Sequence, residues 1–202
     1  MSLMHNVIKA VRITLVLWVL VAVIYPVMML AVGQIIFPYQ ANGSLIKTAQ
    51  GKVIGSALIG QPFTSDRYFN SRPSTTNYSS ASPQNDPAGI LKTGVSGASN
   101  LAPSNPALRD RIQGDISRLQ KAGVKPTADL IYTSGSSLDP HITPEGARAQ
   151  IERIAKARGL QPNQLEILIN QSTEGRFLGI FGEPGVNVLK LNLALDALSQ
   201  RS

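Results

Sequence analysis

Four polar residues within six positions carry the side-chain types of a hydrolytic relay. Ser136, Ser137, Asp139 and His141 supply a nucleophile, a carboxylate and a base. Side chains so close along the chain do not easily adopt the geometry of such a relay, and no G-x-S-x-G turn precedes the serines. Asp139-Pro140 is more typical of a turn that leads into a helix. A serine hydrolase is therefore the alternative interpretation, not the main one.

Other chemical signatures are weaker. Ser44–Lys47, Tyr68–Asn70 and Lys92–Gly94 imitate the three motifs of serine β-lactamases, but they fall within about fifty residues, too close together for that fold. The chain has no cysteine, and His141 is the only histidine after residue 5, so we expect no metal site. No phosphate-binding glycine-rich loop is present. We therefore predict that the chain is not an enzyme by itself.

An uncharged run from Ile13 to Ile46 is the clearest structural signal in the chain. About 20 helical residues reach about 30 Å, the hydrocarbon thickness of a bilayer. The run predicts a short N-terminus over 1–12 and a transmembrane helix over 13–36; it is too long for the apolar part of a cleaved signal peptide. Pro26 removes one helical hydrogen bond in mid-span, which makes it a candidate for packing against other membrane helices.

Positive charge predicts the orientation of this helix. Lys9 and Arg12 precede the apolar run, and the next cationic residue is Lys47. The positive-inside rule then places the N-terminus in the cytoplasm and residues 37–202 outside it. The net charge of +7 is spread thinly and lacks interleaved aromatic residues, so we do not predict nucleic-acid binding.

The segment after the predicted span divides into three parts by composition. Residues 38–69 are rich in β-branched residues and glycine, which predicts short strands and a hairpin turning at Gln50-Gly51. In residues 70–106, Ser, Asn, Pro, Thr and Gly make up 24 of 37 positions, and composition alone predicts an irregular or disordered segment. The remainder shows regular helical and strand patterns.

Helix signals punctuate this third part. Apolar spacing predicts a helix over Pro106–Lys121, a second from the N-cap Thr143 to the stop at Gly159, and a third after Gln161-Pro162. The residues from Phe177 onward predict a strand, a Gly-Pro turn, a second strand and a terminal helix. The predicted fold class is α+β: one N-terminal transmembrane helix, then a single extracytoplasmic domain with a small sheet and about four helices.

Several blocks of this sequence together resemble one known family. One apolar span is followed, in order, by GSALIGQPF, YFNSRPS, SGASNLAPSNP, TSGSSLDPHITP, QIERIAKARGL and LGIFGEPGVNVLKLNLALD. This series is similar to the KdpC subunits of the Kdp potassium-transporting ATPases. The resemblance implies that the Ser/Asn-rich segment is ordered, which reverses the expectation from composition.

The resemblance implies a non-catalytic accessory subunit of a high-affinity potassium import complex in the bacterial inner membrane. Its implied partners are a channel-like potassium-translocating subunit, a P-type ATPase catalytic subunit and a small single-helix subunit. The family is described as a catalytic chaperone that raises the ATP affinity of the ATPase subunit, so ATP would be met through that subunit and not bound firmly by this chain.

Gln150 matches the glutamine that the family is held to use for nucleotide contact. One amide is a slight nucleotide site, and the predicted topology places Gln150 outside the cytoplasm, where ATP is scarce. The other interpretation is that Gln150 caps or packs a helix. Both stay open from the sequence.

Polar loops offer a second kind of site. The segments around Asn100, Asn105, Asp139 and His141 are rich in carbonyl and hydroxyl oxygens, which suit a contact with the channel-like subunit. A cationic domain does not concentrate cations, so we favour a stabilising contact over ion gathering. A membrane-anchored serine hydrolase and a tethered solute-binding domain are the alternatives.

Overall fold

A long apolar helix forms most of the first of two units, Met1–Leu45, in the computed structural model, which describes residues 3–48, 50–80 and 94–199. Helix α1 (Leu3–Val19), a π-helical turn (Leu20–Ile24) and α2 (Tyr25–Ile36) are continuous, and the short α3 (Pro38–Ala41) follows. With a mean hydropathy of 2.7 over its most apolar stretch, the 34-residue helix is the only one in the described ranges that is long and apolar enough to cross a bilayer. The predicted apolar helix is confirmed.

The π-helical turn lies directly before Pro26. The backbone N–H of Tyr25 donates to the carbonyl of Leu20, one residue further back than in an α-helix. A proline has no N–H and its ring crowds the preceding turn, so a wider turn at this place relieves the helix. Packing of Pro26 against a partner helix stays a prediction.

The second unit, Ile46–Ser202, contains two small sheets and six helices in its described part. Four of these helices have eight residues or more, which matches the predicted α+β class. In chain order the elements are β1 (Leu45–Lys47), β2 (Val53–Ser56), α4 (Pro106–Lys121), α5 (Ala128–Ile131), β3 (His141–Ile142), α6 (Pro144–Arg148), α7 (Ile151–Arg158), α8 (Pro162–Ser172), β4 (Thr173–Glu174), β5 (Gly185–Asn187) and α9 (Val188–Ser199).

Both sheets are short. Strands β1 and β2 form the predicted hairpin, with Gly51 at φ +80° in its turn. The second sheet has the order β3-β5-β4, and both pairs are antiparallel. Its register sets His141 opposite Asn187 and Glu174 opposite Gly185, on the two sides of the central strand.

Helices α4 to α9 pack around one apolar core. Its fully buried members include Phe69, Ile154, Leu165, Leu191 and Leu195, which come from an irregular segment as well as from α7, α8 and α9. Burial of apolar surface of this extent is the main stabilising term for a domain without disulfides.

The predicted helices and strands differ from the structure in two places. The predicted helix over Thr143–Gly159 is divided at Gln150, although both its ends are as expected: Thr143 caps α6 and Gly159 ends α7 at φ +69°. The predicted strand at Phe177 is wrong. Residues 177–181 form a tight exposed turn closed by a bridge between Phe177 and Phe181, since the left-handed Gly179 reverses the chain there.

Candidate functional site

Gln150 lies at the N-terminus of α7 and is only 1% exposed. Its Oε1 accepts hydrogen bonds from the backbone N–H of Asn70 at 2.7 Å and from the guanidinium group of Arg153 at 2.8 Å. Its Nε2 donates to the carbonyl oxygens of Asn70 and Gly146, each at 3.2 Å. A glutamine amide has two donor hydrogens and an oxygen with two lone pairs, so its whole hydrogen-bonding capacity is used inside the domain.

A second buried side-chain amide binds the backbone of Phe69, the residue before Asn70, in the same way. Asn192 of α9 accepts a hydrogen bond from the N–H of Phe69 at 2.9 Å and donates to the carbonyl of Phe69 at 3.0 Å. Phe69 and Asn70 lie outside the strands, and buried backbone groups need partners. The side-chain amides of Gln150 and Asn192 therefore take the place of a neighbouring strand.

Two arginines of α7 hold the residues just before this point. Arg153 donates to the carbonyl oxygens of Asp66 at 2.7 Å and Tyr68 at 2.9 Å. Arg158 lies 4.6 Å above the ring of Tyr68 and pairs with Asp196 at 2.7 Å. Burial lowers the pKa of Arg153, and the charge of Asp66 opposes that shift. Two of the blocks that carry the family resemblance thus bind each other.

The surroundings of Gln150 bear on its predicted nucleotide role. A contact with adenine or ribose would require the amide to give up one of its four internal hydrogen bonds. Arg148, the nearer exposed cation, pairs with Glu166 at 2.7 Å and donates to Asn170 at 2.7 Å. The nucleotide role stays a prediction, and its test has to separate loss of a contact from loss of the fold.

Asp139 and His141 form a charged row that crosses the three-stranded sheet. Asp139 accepts hydrogen bonds from the guanidinium of Arg72 at 3.0 Å and from the backbone N–H of His141 at 2.9 Å. The ring nitrogens of His141 lie 3.6 Å from Asp139 and 3.4 Å from Glu174. The imidazole lies against Gly185 of β5, where a Cβ would be 3.4 to 3.6 Å from three carbon atoms of His141, an ordinary packing distance.

The electrostatics of this row favour the ionised form of each group. The Asp139 carboxylate raises the pKa of His141 against the opposing effect of burial, and Glu174 adds to the rise. Burial opposes ionisation of Asp139, but the hydrogen bonds from His141 and the charge of Arg72 lower its pKa. The hydrogen bond from Lys190 lowers the pKa of Glu174. In the described part of the chain no three such groups are placed to hold a metal ion.

The geometry does not support the serine hydrolase alternative. Both ring nitrogens of His141 face carboxylates. The hydroxyl of Ser137, by contrast, lies 2.6 Å from the hydroxyl of Thr75 and accepts a hydrogen bond from the backbone N–H of Thr75 at 3.1 Å. The hydroxyl of Ser136 accepts the N–H of Leu138 at 3.1 Å. No histidine thus contacts either serine among the described residues, and a relay needs that contact.

Hydroxyl groups order the described parts of the Ser/Asn-rich segment. Ser74 donates to the carbonyl of Ser137 at 2.8 Å, and Thr75 donates to the carbonyl of Gly97 at 2.9 Å. The N–H of Gly97 in turn donates to the carbonyl of Ser136 at 3.0 Å. Ser74, Thr75 and Gly97 are therefore held against Ser136 and Ser137, in the turn before β3. The Lys92–Gly94 motif lies partly outside the described residues, as does the rest of this segment.

Three consecutive residues in this segment have left-handed backbone angles. Asn77, Tyr78 and Ser79 have φ values of +49°, +56° and +53°, a conformation that costs about 1–2 kcal/mol per residue other than glycine. The buried Tyr78 hydroxyl donates to the carbonyl of Arg72, and its ring contacts Gly60 so closely that no Cβ would fit there. Burial raises the pKa of Tyr78 to about 12. The anchored tyrosine offsets the cost of the turn.

A cleft of about 300 Å³ opens beside this turn. Arg72 and Arg118 contribute its cationic groups, and each is paired with a carboxylate, Asp139 at 3.0 Å and Asp115 at 2.9 Å. Both guanidinium charges are thus neutralised within the domain, which gives an anionic solute little to bind. The solute-binding alternative stays a prediction without a charged site in this cleft.

The remaining predicted site residues lie apart from one another. Asn105 caps α4, where its side chain accepts the N–H of Ala107 at 3.0 Å. Asn100 is exposed at φ +52°. The structure brings Asp139 and His141 together and places both asparagines elsewhere; their contact with a partner stays a prediction.

Sequence reasoning missed several residues that build this region. Asp129 is buried and accepts the N–H of Thr143 at 2.6 Å, so it fixes the start of α6. The spacing of residues along the sequence also gives no indication of the roles of Asn192 and Glu174. Each acts on a residue that is distant in sequence, and periodicity carries no such signal.

Comparison with known proteins adds a direct result. A family model described as "K+-transporting ATPase, c chain" (KdpC) matches residues 7–197. The potassium-transporting ATPase KdpC subunit of Microcystis aeruginosa is 68% identical over 95% of each chain, and KdpC subunit 1 of Nostoc sp. is 68% identical over 98% of each. The KdpC subunit of Synechocystis sp. is 59% identical over 96% of this chain and 99% of its own.

Proposed function

The chain belongs to the KdpC family, and we propose that its domain is a rigid brace that stabilises the assembled ATPase complex. Family membership makes the chain an accessory subunit of a potassium import complex in which another subunit carries the ATPase activity. One observation carries the proposal: buried amides and arginines fix an irregular backbone, residues 65–70, to α7 and α9. A surface held in this way is suited to a pre-organised contact.

The brace works outside the cytoplasm, beside a channel-like potassium-translocating subunit. Lys9 and Arg12 before the apolar helix support this orientation through the positive-inside rule. A P-type ATPase catalytic subunit and a small single-helix subunit complete the proposed set of partners in the bacterial inner membrane. Protease added to intact spheroplasts should cleave within residues 46–202; protection of that domain until the membrane is opened would refute the orientation.

The charged row and the separate polar loop at Asn100 supply two parts of the contact surface. Asn100 is exposed, and Asp139 and His141 are half-buried, so their outer faces are open to a partner. Asn100→Gly removes the amide while keeping the left-handed backbone that glycine tolerates. We expect this variant to reduce co-purification with the channel-like subunit about tenfold. The matched control is Asn163→Gly on α8, which we expect to leave co-purification unchanged.

Any effect of the domain on ATP affinity would pass through these subunit contacts. Gln150 spends its hydrogen bonds on Asn70, Gly146 and Arg153, so we propose that it positions backbone and that the chain holds no ATP firmly. A Gln150 variant would then alter ATP affinity only as far as it loosens the domain. An equally destabilising variant elsewhere should change the affinity to the same degree.

A further inference from the structure

The turn between β4 and β5 exposes a compact group of large apolar side chains. Four of five consecutive residues, which we name the apolar tip, are 61–74% exposed: Phe177, Leu178, Ile180 and Phe181. Other exposed apolar side chains in the described part of this domain, such as Ile167, occur singly or in a pair. At about 200 Å² per side chain, the tip presents about 500 Å² of apolar surface, near the largest patch of an ordinary monomer.

This turn is held rigidly. Phe177 and Phe181 form a backbone bridge with hydrogen bonds of 2.8 and 3.0 Å. One guanidinium nitrogen of Arg176 donates to both carboxylate oxygens of Glu183, at 3.0 and 2.9 Å, and closes the base of the turn. Leu178 has φ +54°, which only a constrained turn maintains in a branched residue. Rigid aromatic side chains lose little entropy on binding, so the tip is pre-organised for a partner.

Charge around the tip argues against a lipid surface as its occupant. Glu174 and Glu183 face Lys190 and Arg176 in ion pairs of 2.7 and 2.9 Å, so no unpaired cation there attracts anionic headgroups. The tip itself has no tryptophan, tyrosine or lysine, the residues that anchor proteins at the membrane interface. A neutral apolar knob with a paired rim is instead typical of a protein contact.

The size of the tip also decides against a second copy of the chain. Two tips in symmetric contact would bury about 1,000 Å², below the roughly 1,600 Å² of a stable association between proteins. A contact of this same size, about 500 Å² on each partner, is sufficient when the two chains are already joined elsewhere, because the second contact then forms within one assembly. Membership of a multisubunit ATPase complex supplies that condition.

We propose that the apolar tip inserts into an apolar pocket on another subunit of the same complex, with Phe177 and Phe181 as the anchoring side chains. This inference rests on the proposed bracing function and names a contact that the brace uses. The Arg176–Glu183 ion pair forms the rim of the tip.

The first test uses the full-length chain with an affinity tag, co-expressed with the other subunits. We expect the double variant Phe177→Ser, Phe181→Ser to reduce the recovered partner subunits at least tenfold in stringent detergent. The matched control, Ile167→Ser, changes a 55% exposed residue of α8 and should recover them within twofold of the unmodified chain. Recovery within twofold for the double variant would overturn the proposal.

The second test identifies the occupant and leaves the anchoring side chains of Phe177 and Phe181 in place. A benzophenone amino acid in place of Leu178 should cross-link to another subunit when the complex is irradiated, and the same group at Ile167 should not. Cross-links to a second copy, to lipid alone or to nothing at all would each overturn the proposal.

A truncated chain distinguishes this inference from the proposed function. If a chain ending after Ser44 assembles the complex and supports transport as well as the full chain does, the brace itself is refuted. If that truncation fails but the tip variant assembles normally, the brace stands and the tip is not its contact.

Discussion

Replacing Gln150 with alanine is the sharpest test of how this domain is built. The change deletes four hydrogen bonds in a place that water does not reach, since the residue is 1% exposed. The backbone N–H and the backbone carbonyl of Asn70 each lose the hydrogen bond to the Gln150 amide. The carbonyl of Gly146 loses one donor, and Arg153 loses one of its acceptors. Unpaired buried groups cost more than the net gain of the bond they replace.

The magnitude follows from these contacts. Three bonds between neutral groups contribute about 1 kcal/mol each, and the bond from an arginine contributes about 1.5 kcal/mol at the low end of its range. The expected loss in the free energy of unfolding is therefore about 4.5 kcal/mol, which lowers the melting temperature of a domain of this size by about 9–18 °C. By the same reasoning Asn192→Ala, which loses two neutral bonds, should cost about 2 kcal/mol.

Denaturant unfolding of the full chain in detergent measures both values. Tyrosine circular dichroism in the near ultraviolet should be the signal, because the only tryptophan, Trp18, lies in the apolar helix. A loss below 1 kcal/mol for Gln150→Ala, or one smaller than that of Asn192→Ala, would refute the reasoning. If Gln150→Ala lowers the ATP affinity of the complex and a core variant with the same measured loss of unfolding free energy does not, the predicted nucleotide contact is supported instead.

Three further outcomes are expected. Because the pKa of His141 is raised in the folded state, the charged imidazole contributes its full stability below about pH 6.5, and this contribution disappears as the pH rises through the raised pKa. In urea unfolding, His141→Gln should therefore be less stable than the unmodified chain at pH 5 and nearly equal to it at pH 8.5. An equal difference in stability at both pH values would contradict this. Gly146→Ala places a Cβ 2.4 Å from a carboxylate oxygen of Asp129 and should lower the unfolding free energy by about 2–3 kcal/mol. Gly114→Ala on α4 places its Cβ in open space and should raise the unfolding free energy by about 0.5–1 kcal/mol. Equal effects of the two variants in chemical denaturation would refute the packing argument. Pro26→Ala should restore a regular α-helix in place of the π-helical turn and weaken co-purification of partner subunits; unchanged recovery would show that the proline packs against nothing.

Local signals were enough to predict much of the fold. The helix over Pro106–Lys121 begins at an Asn-Pro pair and carries a regular apolar stripe, and it forms with those bounds. The hairpin at Gln50-Gly51 and the stop at Gly159 follow from glycine's access to positive φ. These features depend on neighbours in sequence, which is the range over which propensity and capping act.

The irregular segment shows where local reasoning ends. Composition alone predicts an irregular or disordered segment over residues 70–106, because Ser, Asn, Pro, Thr and Gly make up 24 of its 37 positions. In the structure Ser74 and Thr75 find carbonyl oxygens that lie 63 and 22 residues away. Hydrogen bonds at such separations depend on how distant parts of the chain fold together, so neighbouring residues in the sequence do not predict them.

The sequence by itself determined the apolar helix, the class of the domain, the absence of thiol chemistry and, through six ordered blocks, the family. Only the tertiary structure decided what the marked residues do, because burial and hydrogen-bond partners depend on the whole chain. It enclosed Gln150 among backbone groups, placed His141 between two carboxylates and away from the serines, and left Phe177 and Phe181 exposed where the sequence predicted a strand.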